Sequence, residues 1–310
     1  MDSKVFVNEQ IEEIRKTVGK GIAINALSGG VDSSVVTLLG HRALGAQMKT
    51  FFVDNALMRA GEPQRIVQLF ASLGIPVQNV NARQEFLAAL KGISDPEKKR
   101  QAITDTFYAK VFVRLVRETK AHFLMHGTIL TDIEETVAGI KRQHNILSQI
   151  GIKPEEAYGY AVLEPLKTLR KDGVRAVAAE LGLPSEIARR MPFPGPALAA
   201  RIVGDVTEEK LDLVRRATAI VEEELADCGA FQYLAVLLND YATGIRNNKR
   251  EFGRIIVVRC IESTDARTAT VTRLPWEKLE KICRRITDIP GVNRCLYDLT
   301  PKPPATVEYV

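Results

Sequence analysis

The sequence is poor in the features that would mark a disulfide scaffold, a zinc module or a membrane protein. Its 310 residues hold four cysteines, Cys228, Cys260, Cys283 and Cys295, scattered and never in a C-x-x-C pair. Neither a disulfide framework nor a structural zinc site is therefore expected. The four histidines, His41, His122, His126 and His144, show no H-E-x-x-H spacing. No uninterrupted apolar run reaches the roughly 20 residues of a membrane helix. The opening MDSKVFVNEQIEEIRK also lacks a basic-then-apolar signal layout, so a cytoplasmic protein with no membrane partner is expected. An excess of one charge is nearly missing as well: 43 Lys and Arg against 38 Asp and Glu give +5. That balance suits an anionic small molecule as well as a nucleic acid. What is present, 45% apolar and 26% charged residues, is enough to bury a sizeable core and excludes wholesale disorder.

Periodicity gives the organisation. Val5 to Val18 has the spacing of an amphipathic helix. Gly21 to Leu27 reads as a buried parallel strand, and a helix is expected from about Ser33 to Leu44. A second strand from Thr50, a helix from Pro63, a third strand ending near Asn81 and a fourth at Ala121 to Met125 continue the alternation. Such alternation indicates a parallel sheet with helices on its faces. Gln84 to Glu118 is helical in pattern, restarting at Ser94-Asp95-Pro96; Thr131 to Ala161 reads as loops and short helices, and Lys167 to Leu181 as a helix capped by Gly182. Pro192-Phe193-Pro194-Gly195-Pro196 is the strongest punctuation, and it divides an expected domain at 1–190 from one at 191–310. Beyond it a helix at Thr207 to Ala226, an apolar run at Tyr233 to Leu238, a strand at Arg254 to Cys260, a helix at Pro275 to Ile286 and strands at Arg294 to Leu299 and Thr306 to Val310 suggest a compact α+β domain.

Ser28-Gly29-Gly30-Val31-Asp32-Ser33-Ser34 lies between the first strand and its helix. Adjacent glycines let backbone N–H groups close on a ligand, the serines add hydroxyl donors, and a helix N-terminus carries partial positive charge. The combination suits phosphate or pyrophosphate, and Asp32 can hold Mg²⁺ against the same oxygens. A glycine-rich turn with Ser as helix cap is the structural alternative. With no G-x-x-x-x-G-K-[ST], the loop is not a Walker A motif.

The string resembles the pyrophosphate loop of N-type ATP pyrophosphatases, which adenylylate an oxygen and release pyrophosphate. FFVDNALMR (Phe51 to Arg59), FLAALKGISDPEKKR (Phe86 to Arg100), HGTILTDIEET (His126 to Thr136), LEPLKTLRKDGVR (Leu163 to Arg175), PFPGPALAAR (Pro192 to Arg201), RLPW (Arg273 to Trp276) and PGVNRCLYDLTPKPPATVEY (Pro290 to Tyr309) extend the resemblance to the GMP synthetase family. It implies an α/β fold: a Rossmann-like, adenine nucleotide alpha hydrolase-like parallel-sheet domain, then a smaller α+β dimerisation domain. It implies that ATP and Mg²⁺ adenylylate xanthosine monophosphate and that ammonia then displaces AMP to give GMP. On this resemblance Asp32 and Ser33 are catalytic, and Asp32 holds the metal. Ser28, Gly29, Gly30, Val31, Asp32, Ser33, Ser34, Val53 and Gly127 bind ATP. Arg59, Gln232, Arg294, Lys302, Val307 and Glu308 bind the xanthine nucleotide, Arg294 and Lys302 as phosphate partners and Glu308 as acceptor for purine N–H groups. The resemblance implies a homodimer too. None of the cysteines sits in a G-x-C-x-G nucleophile turn, so ammonia is free or comes from a separate glutamine amidotransferase subunit, the natural inference being the second. Two nucleotides account for the +5 charge, and no nucleic-acid partner is expected.

The chain departs from the family pattern at His126, where the family has glutamine, at Leu130-Thr131, at Asp105 and over Lys141 to Ser148. It departs again over Leu238 to Ile245, read as a loop near the acceptor. Two alternatives follow: a paralogous ATP pyrophosphatase that amidates or thiolates another nucleotide-like acceptor, or a catalytically silent nucleotide-sensing subunit. Residues 1–227 contain no cysteine, which weighs against thiolation.

Overall fold

A computed structural model describes residues 2–137, 159–188, 191, 193–264 and 266–309; Lys141 to Ser148 and Pro192 lie outside them. The chain divides into two compact units. The first comprises Met1–Asp54, Pro63–Ala82 and Thr104–Arg190, and the second Asn55–Glu62, Arg83–Ile103 and Met191–Val310. Two segments that precede residue 190 in sequence thus group with the C-terminal unit.

The first unit is built on a five-stranded parallel sheet of order β3-β2-β1-β4-β5. Its strands are β1 (Ala23–Ala26), β2 (Met48–Asp54), β3 (Val77–Asn81), β4 (Phe123–Met125) and β5 (Ala161–Leu163). The central strands are apolar runs because helices cover both faces: Ala23, Ile24, Phe51, Phe52, Leu124 and Met125 are all buried. Helix α1 (Ser3–Val18) starts at Asp2, whose carboxylate accepts from the Lys4 and Val5 N–H groups at 2.9 and 3.2 Å. This N-cap satisfies donors the helix cannot. Helix α2 (Val31–Leu44) buries Val35, Val36, Leu38 and Leu39, and α1 and the helix Lys171–Glu180 pack on it. Strand β5, only three residues long, is not signalled in the sequence. The run from Gln84 is helical over Arg83–Leu90 and Pro96–Asp105, where the Asp95 carboxylate caps Lys98 N–H at 2.8 Å. A π-helical turn, Thr106–Phe112, leads into Val113–Thr119.

The second unit carries a four-stranded sheet of β6 (Gln232–Arg246), β7 (Lys249–Glu262), β8 (Thr270–Val271) and β9 (Val292–Tyr297). β6 and β8 run antiparallel to β7, and β9 runs parallel to it. The helices Glu208–Glu224 and Trp276–Thr287 are joined by Arg285, which donates to both Glu223 and Glu224.

Two expectations are corrected here. Leu238 to Ile245 is not a loop: after an irregularity between Leu237 and Tyr241 it pairs residue by residue with Arg254 to Arg250, as the far half of β6. Thr306 to Tyr309 does not form a strand, and Val310, the last residue of that expected strand, lies outside the described residues. Main-chain pairing ends at a single bridge between Lys302 and Ala269, because Pro303 and Pro304 have no N–H for a ladder, and a side chain also holds the tail. Arg259, 1% exposed, donates to the Asp298 carboxylate (2.7 Å) and to the carbonyls of Thr300 (2.7 Å) and Thr306 (2.9 Å).

Candidate active site

In a doubly wound sheet, crevices form at the carboxyl ends of the strands, where the chain leaves for helices on opposite faces. β1 and its neighbour β4 are such a pair, and Ser28–Ser34 and His126–Thr128 follow them directly. Gly29 takes φ +78° and Gly30 becomes the N-cap of α2; the left-handed turn at Gly29 is open to glycine at no steric cost. Ser34 N–H returns to the Gly30 carbonyl at 3.1 Å. The N–H groups of Val31, Asp32 and Ser33 therefore form the first turn of a helix, which offers them no acceptor within the helix.

The serines divide the work. Ser28 and Ser33 hydroxyls lie 2.9 Å apart at the mouth of the loop. Ser34 is fully buried and its hydroxyl donates to the Gly30 carbonyl at 2.7 Å, so it braces the turn from beneath. Gly127 is the closest approach: a Cβ there would stand 3.3 Å from the Asp32 main chain and from Ser33 N. Val53 is buried in β2, paired with Val80.

Asp32 is the one acidic residue in the first turn of α2, and Lys171 Nζ lies 2.9 and 2.7 Å from its two oxygens. Lys171 was missed in sequence, although it stands in the family-like LEPLKTLRKDGVR run; nothing local marks it, because 139 residues separate the pair. Among the described residues no three His, Cys, Asp or Glu side chains cluster as a metal cage. Mg²⁺ ordinarily takes one or two carboxylates and completes its shell with phosphate and water, so a single carboxylate at a helix N-terminus suits a metal that arrives with a nucleotide.

His126 sits beside this loop with its Nδ1 placed as a donor. Thr128 Oγ1 gives its hydrogen to Glu164 (2.6 Å), so the 2.8 Å contact between Thr128 Oγ1 and His126 Nδ1 requires the hydrogen on Nδ1. Tyr108 OH is 3.5 Å from Nε2, and burial raises its pKa so that the phenol stays protonated.

In the second unit Glu308 is the centre of a buried cluster. Arg201, 1% exposed, donates to both of its oxygens at 3.1 and 3.0 Å, and Gln232 Nε2 donates at 2.6 Å. The fork of a guanidinium matches a carboxylate in this way. The Arg201 guanidinium also lies 4.9 Å from the centre of the Phe193 ring, whose face Arg59 covers at 3.9 Å. Arg59 in turn donates to Glu222. The structure thus brings Arg59, Gln232 and Glu308 together around Arg201 and Phe193, two residues not singled out from the sequence. Val307 is half-buried beside Glu308. Arg294 is exposed on β9, and Lys302 Nζ donates to the Ala266 carbonyl at 2.7 Å. Among the described residues neither shares a hydrogen bond or ion pair with the Glu308 cluster.

Two family descriptions match the chain, one towards each end. The family described as NAD synthase matches residues 3–145, and that described as GMP synthase C terminal domain matches residues 220–309. Over the whole length, a subunit of the glutamine-hydrolyzing GMP synthase of Archaeoglobus fulgidus is 49% identical across 310 residues, all of this chain and all of that one. The chain belongs to this GMP synthase subunit family. The corresponding subunits from Methanopyrus kandleri, 47% identical, and Methanocaldococcus jannaschii, 46% identical, each align over 99% of both chains. A solved NH3-dependent NAD synthetase from Campylobacter jejuni is 16% identical over 74% of this chain and 88% of its own, with a TM-score of 0.48; that likeness is too slight to carry an argument. Membership makes the chain a ligase-family protein.

Proposed function

We propose that the protein is the ATP-pyrophosphatase subunit of a GMP synthase, aminating xanthosine monophosphate at the expense of ATP. The observation that carries this reading is the loop Ser28–Ser34, with three helix N–H groups, two hydroxyls and the Asp32–Lys171 pair gathered at the end of β1. Pyrophosphate is a strongly charged leaving group. Donors fixed before the reaction contribute most where that charge develops, each about 3 kcal/mol in well-built sites. Asp32 would hold Mg²⁺, which when bound neutralises phosphate oxygens. Lys171, its present partner, is then free to pair with phosphate. Ser28 and Ser33 donate to the same oxygens, and Val53 and Gly127 flank the adenosine.

The acceptor oxygen at C2 of the purine bonds to the α-phosphorus while the bond to pyrophosphate breaks. Ammonia next adds at C2, a proton is lost, and AMP departs with that oxygen. The chain's contribution is alignment of two nucleotides, which turns a bimolecular step into a unimolecular one. Glu308 has three N–H donors in place and room for about one more, so it accepts one purine N–H in a fixed direction. Arg59 and Gln232 complete that end, and Arg294 and Lys302 meet the acceptor's phosphate.

Ammonia comes from a separate glutamine amidotransferase chain, in keeping with the relatives' description as one subunit of a glutamine-hydrolyzing enzyme. The C-terminal unit forms a homodimer. Tyr241, Ile245 and Phe252, at 58%, 81% and 71% exposure, support this: the alternation of β6 puts the first two on one face, and Phe252 joins them as the partner of Thr243. Thiol chemistry is disfavoured at Cys260 and Cys295, since burial pushes their thiols up to about 12 and the thiolate is the reactive form. The test is direct: purified protein with ATP, Mg²⁺, xanthosine monophosphate and ammonium should yield AMP, pyrophosphate and GMP. Nucleotide binding with no turnover would favour a sensor instead.

A further inference from the structure

The interface between α2 and the sheet, ordinarily apolar in a parallel α/β unit, contains a continuous polar chain. Thr37 Oγ1 donates to the Ser33 carbonyl at 2.8 Å, and Asn25 Nδ2 donates to Thr37 Oγ1 at 2.7 Å. Thr50 Oγ1 donates to Asn25 Oδ1 at 2.8 Å, and His41 Nε2 lies 3.0 Å from Thr50 Oγ1. Asn25, Thr37 and Thr50 are at most 3% exposed.

Local geometry brings the four together. Asn25 and Thr50 are register partners on β1 and β2 and so share a face. Thr37 and His41 are four apart on α2 and share a stripe. The hydrogens are fixed by counting. Thr37 spends its single hydrogen on the helix carbonyl, so Asn25 must present its NH₂ to that oxygen. Asn25 Oδ1 then takes the Thr50 hydrogen, and only His41 Nε2 can donate to Thr50. Burial and the neighbouring Lys49 lower the His41 pKa and favour the neutral ring. Its outer side opens on a groove of about 890 Å³ lined also by Arg42, Met48 and Lys49.

We propose that His41, Thr50, Asn25 and Thr37 are positioning residues for the pyrophosphate loop, fixing the first turn of α2 through the Ser33 carbonyl and thereby the aim of its N–H groups. The inference rests on the reading of Ser28–Ser34 as the ATP site. A half-satisfied buried network is costlier than none, so four mutually satisfied groups in an otherwise apolar layer hold one arrangement against alternatives.

The experiment compares Thr50→Val, which keeps shape and removes the hydroxyl, with Thr50→Ser, which keeps the hydroxyl. Calorimetric titration with inorganic pyrophosphate and with Mg·ATP should show Thr50→Val binding about tenfold more weakly and Thr50→Ser close to the parent, with xanthosine monophosphate affinity the same in all three. A bystander role would lower the melting temperature of Thr50→Val and leave pyrophosphate affinity unchanged, and that result overturns the inference. Should Thr50→Val fail to fold, His41→Leu against His41→Gln offers the same contrast at the half-buried outer end, where the glutamine amide can replace the Nε2 donor. Failure of the parent to bind pyrophosphate or ATP would instead overturn the loop reading, and the relay with it.

Discussion

The two candidate regions use opposite kinds of material. At the end of β1 the donors belong to the main chain and to small hydroxyls, and the Asp32–Lys171 ion pair is 28% and 43% exposed at its two side chains. Around Glu308 and Arg259 the groups are side chains, with Arg201 and Arg259 each 1% exposed and their carboxylate partners Glu308 and Asp298 at 15% and 10%, joined across 39 to 107 residues of sequence. An exposed pair contributes little to stability and can exchange partners readily. A buried one is strongly destabilising when broken from one side. The loop is therefore suited to giving up its internal pairing to a ligand, whereas the C-terminal cluster is suited to holding one carboxylate in place before any ligand arrives.

The contrast can be broken most sharply at Arg259. Arg259→Met takes the guanidinium from Asp298, which keeps the Thr300 N–H, and from the carbonyls of Thr300 and Thr306. We expect a loss of about 3–5 kcal/mol in urea denaturation. Asp32→Ala should show the opposite profile: a stability change within about 1 kcal/mol, and pyrophosphate release reduced about 10²- to 10³-fold in a steady-state assay. Gly127→Ala is expected to act more gently. Its methyl would press on the Asp32 and Ser33 main chain at 3.3 Å, and the KM for ATP should rise about tenfold with the acceptor KM unmoved.

The smallest effect concerns Lys99. It is buried, with Nζ donating to the Ile202 carbonyl at 2.6 Å. Burial, and then Lys210, lower its pKa from 10.5 to about 8. The folded value lies below the unfolded one, so between pH 8 and 10.5 the unfolded chain binds more protons and stability from this group rises with pH. Thermal melts across that range should show Lys99→Met with a flatter pH dependence than the parent.

Legibility in the sequence follows the same division. The parallel sheet, α2 and the loop are legible because they rest on local chemistry: an apolar strand, two glycines, and a helix start within seven residues. β5 is too short to show a period, and the far half of β6 carries Asn239, Asp240 and Gly244, residues that read as a loop until the pairing with β7 is seen. Glu308, Gln232 and Arg59 came from family resemblance. Arg201 and Lys171, which meet Glu308 and Asp32 across more than 100 residues, left no local trace. The polar relay behind the loop was hidden for a related reason, since Asn25 and Thr50 acquire meaning only once β1 and β2 are in register.

The separation of roles is tested most directly by calorimetric titration of Asp32→Ala and Glu308→Gln, each with Mg·ATP and each with xanthosine monophosphate. The account predicts that Asp32→Ala loses Mg·ATP affinity and retains the xanthine nucleotide, and that Glu308→Gln does the reverse. Undiminished xanthosine monophosphate binding by Glu308→Gln, or equal loss of both ligands in either variant, would contradict it.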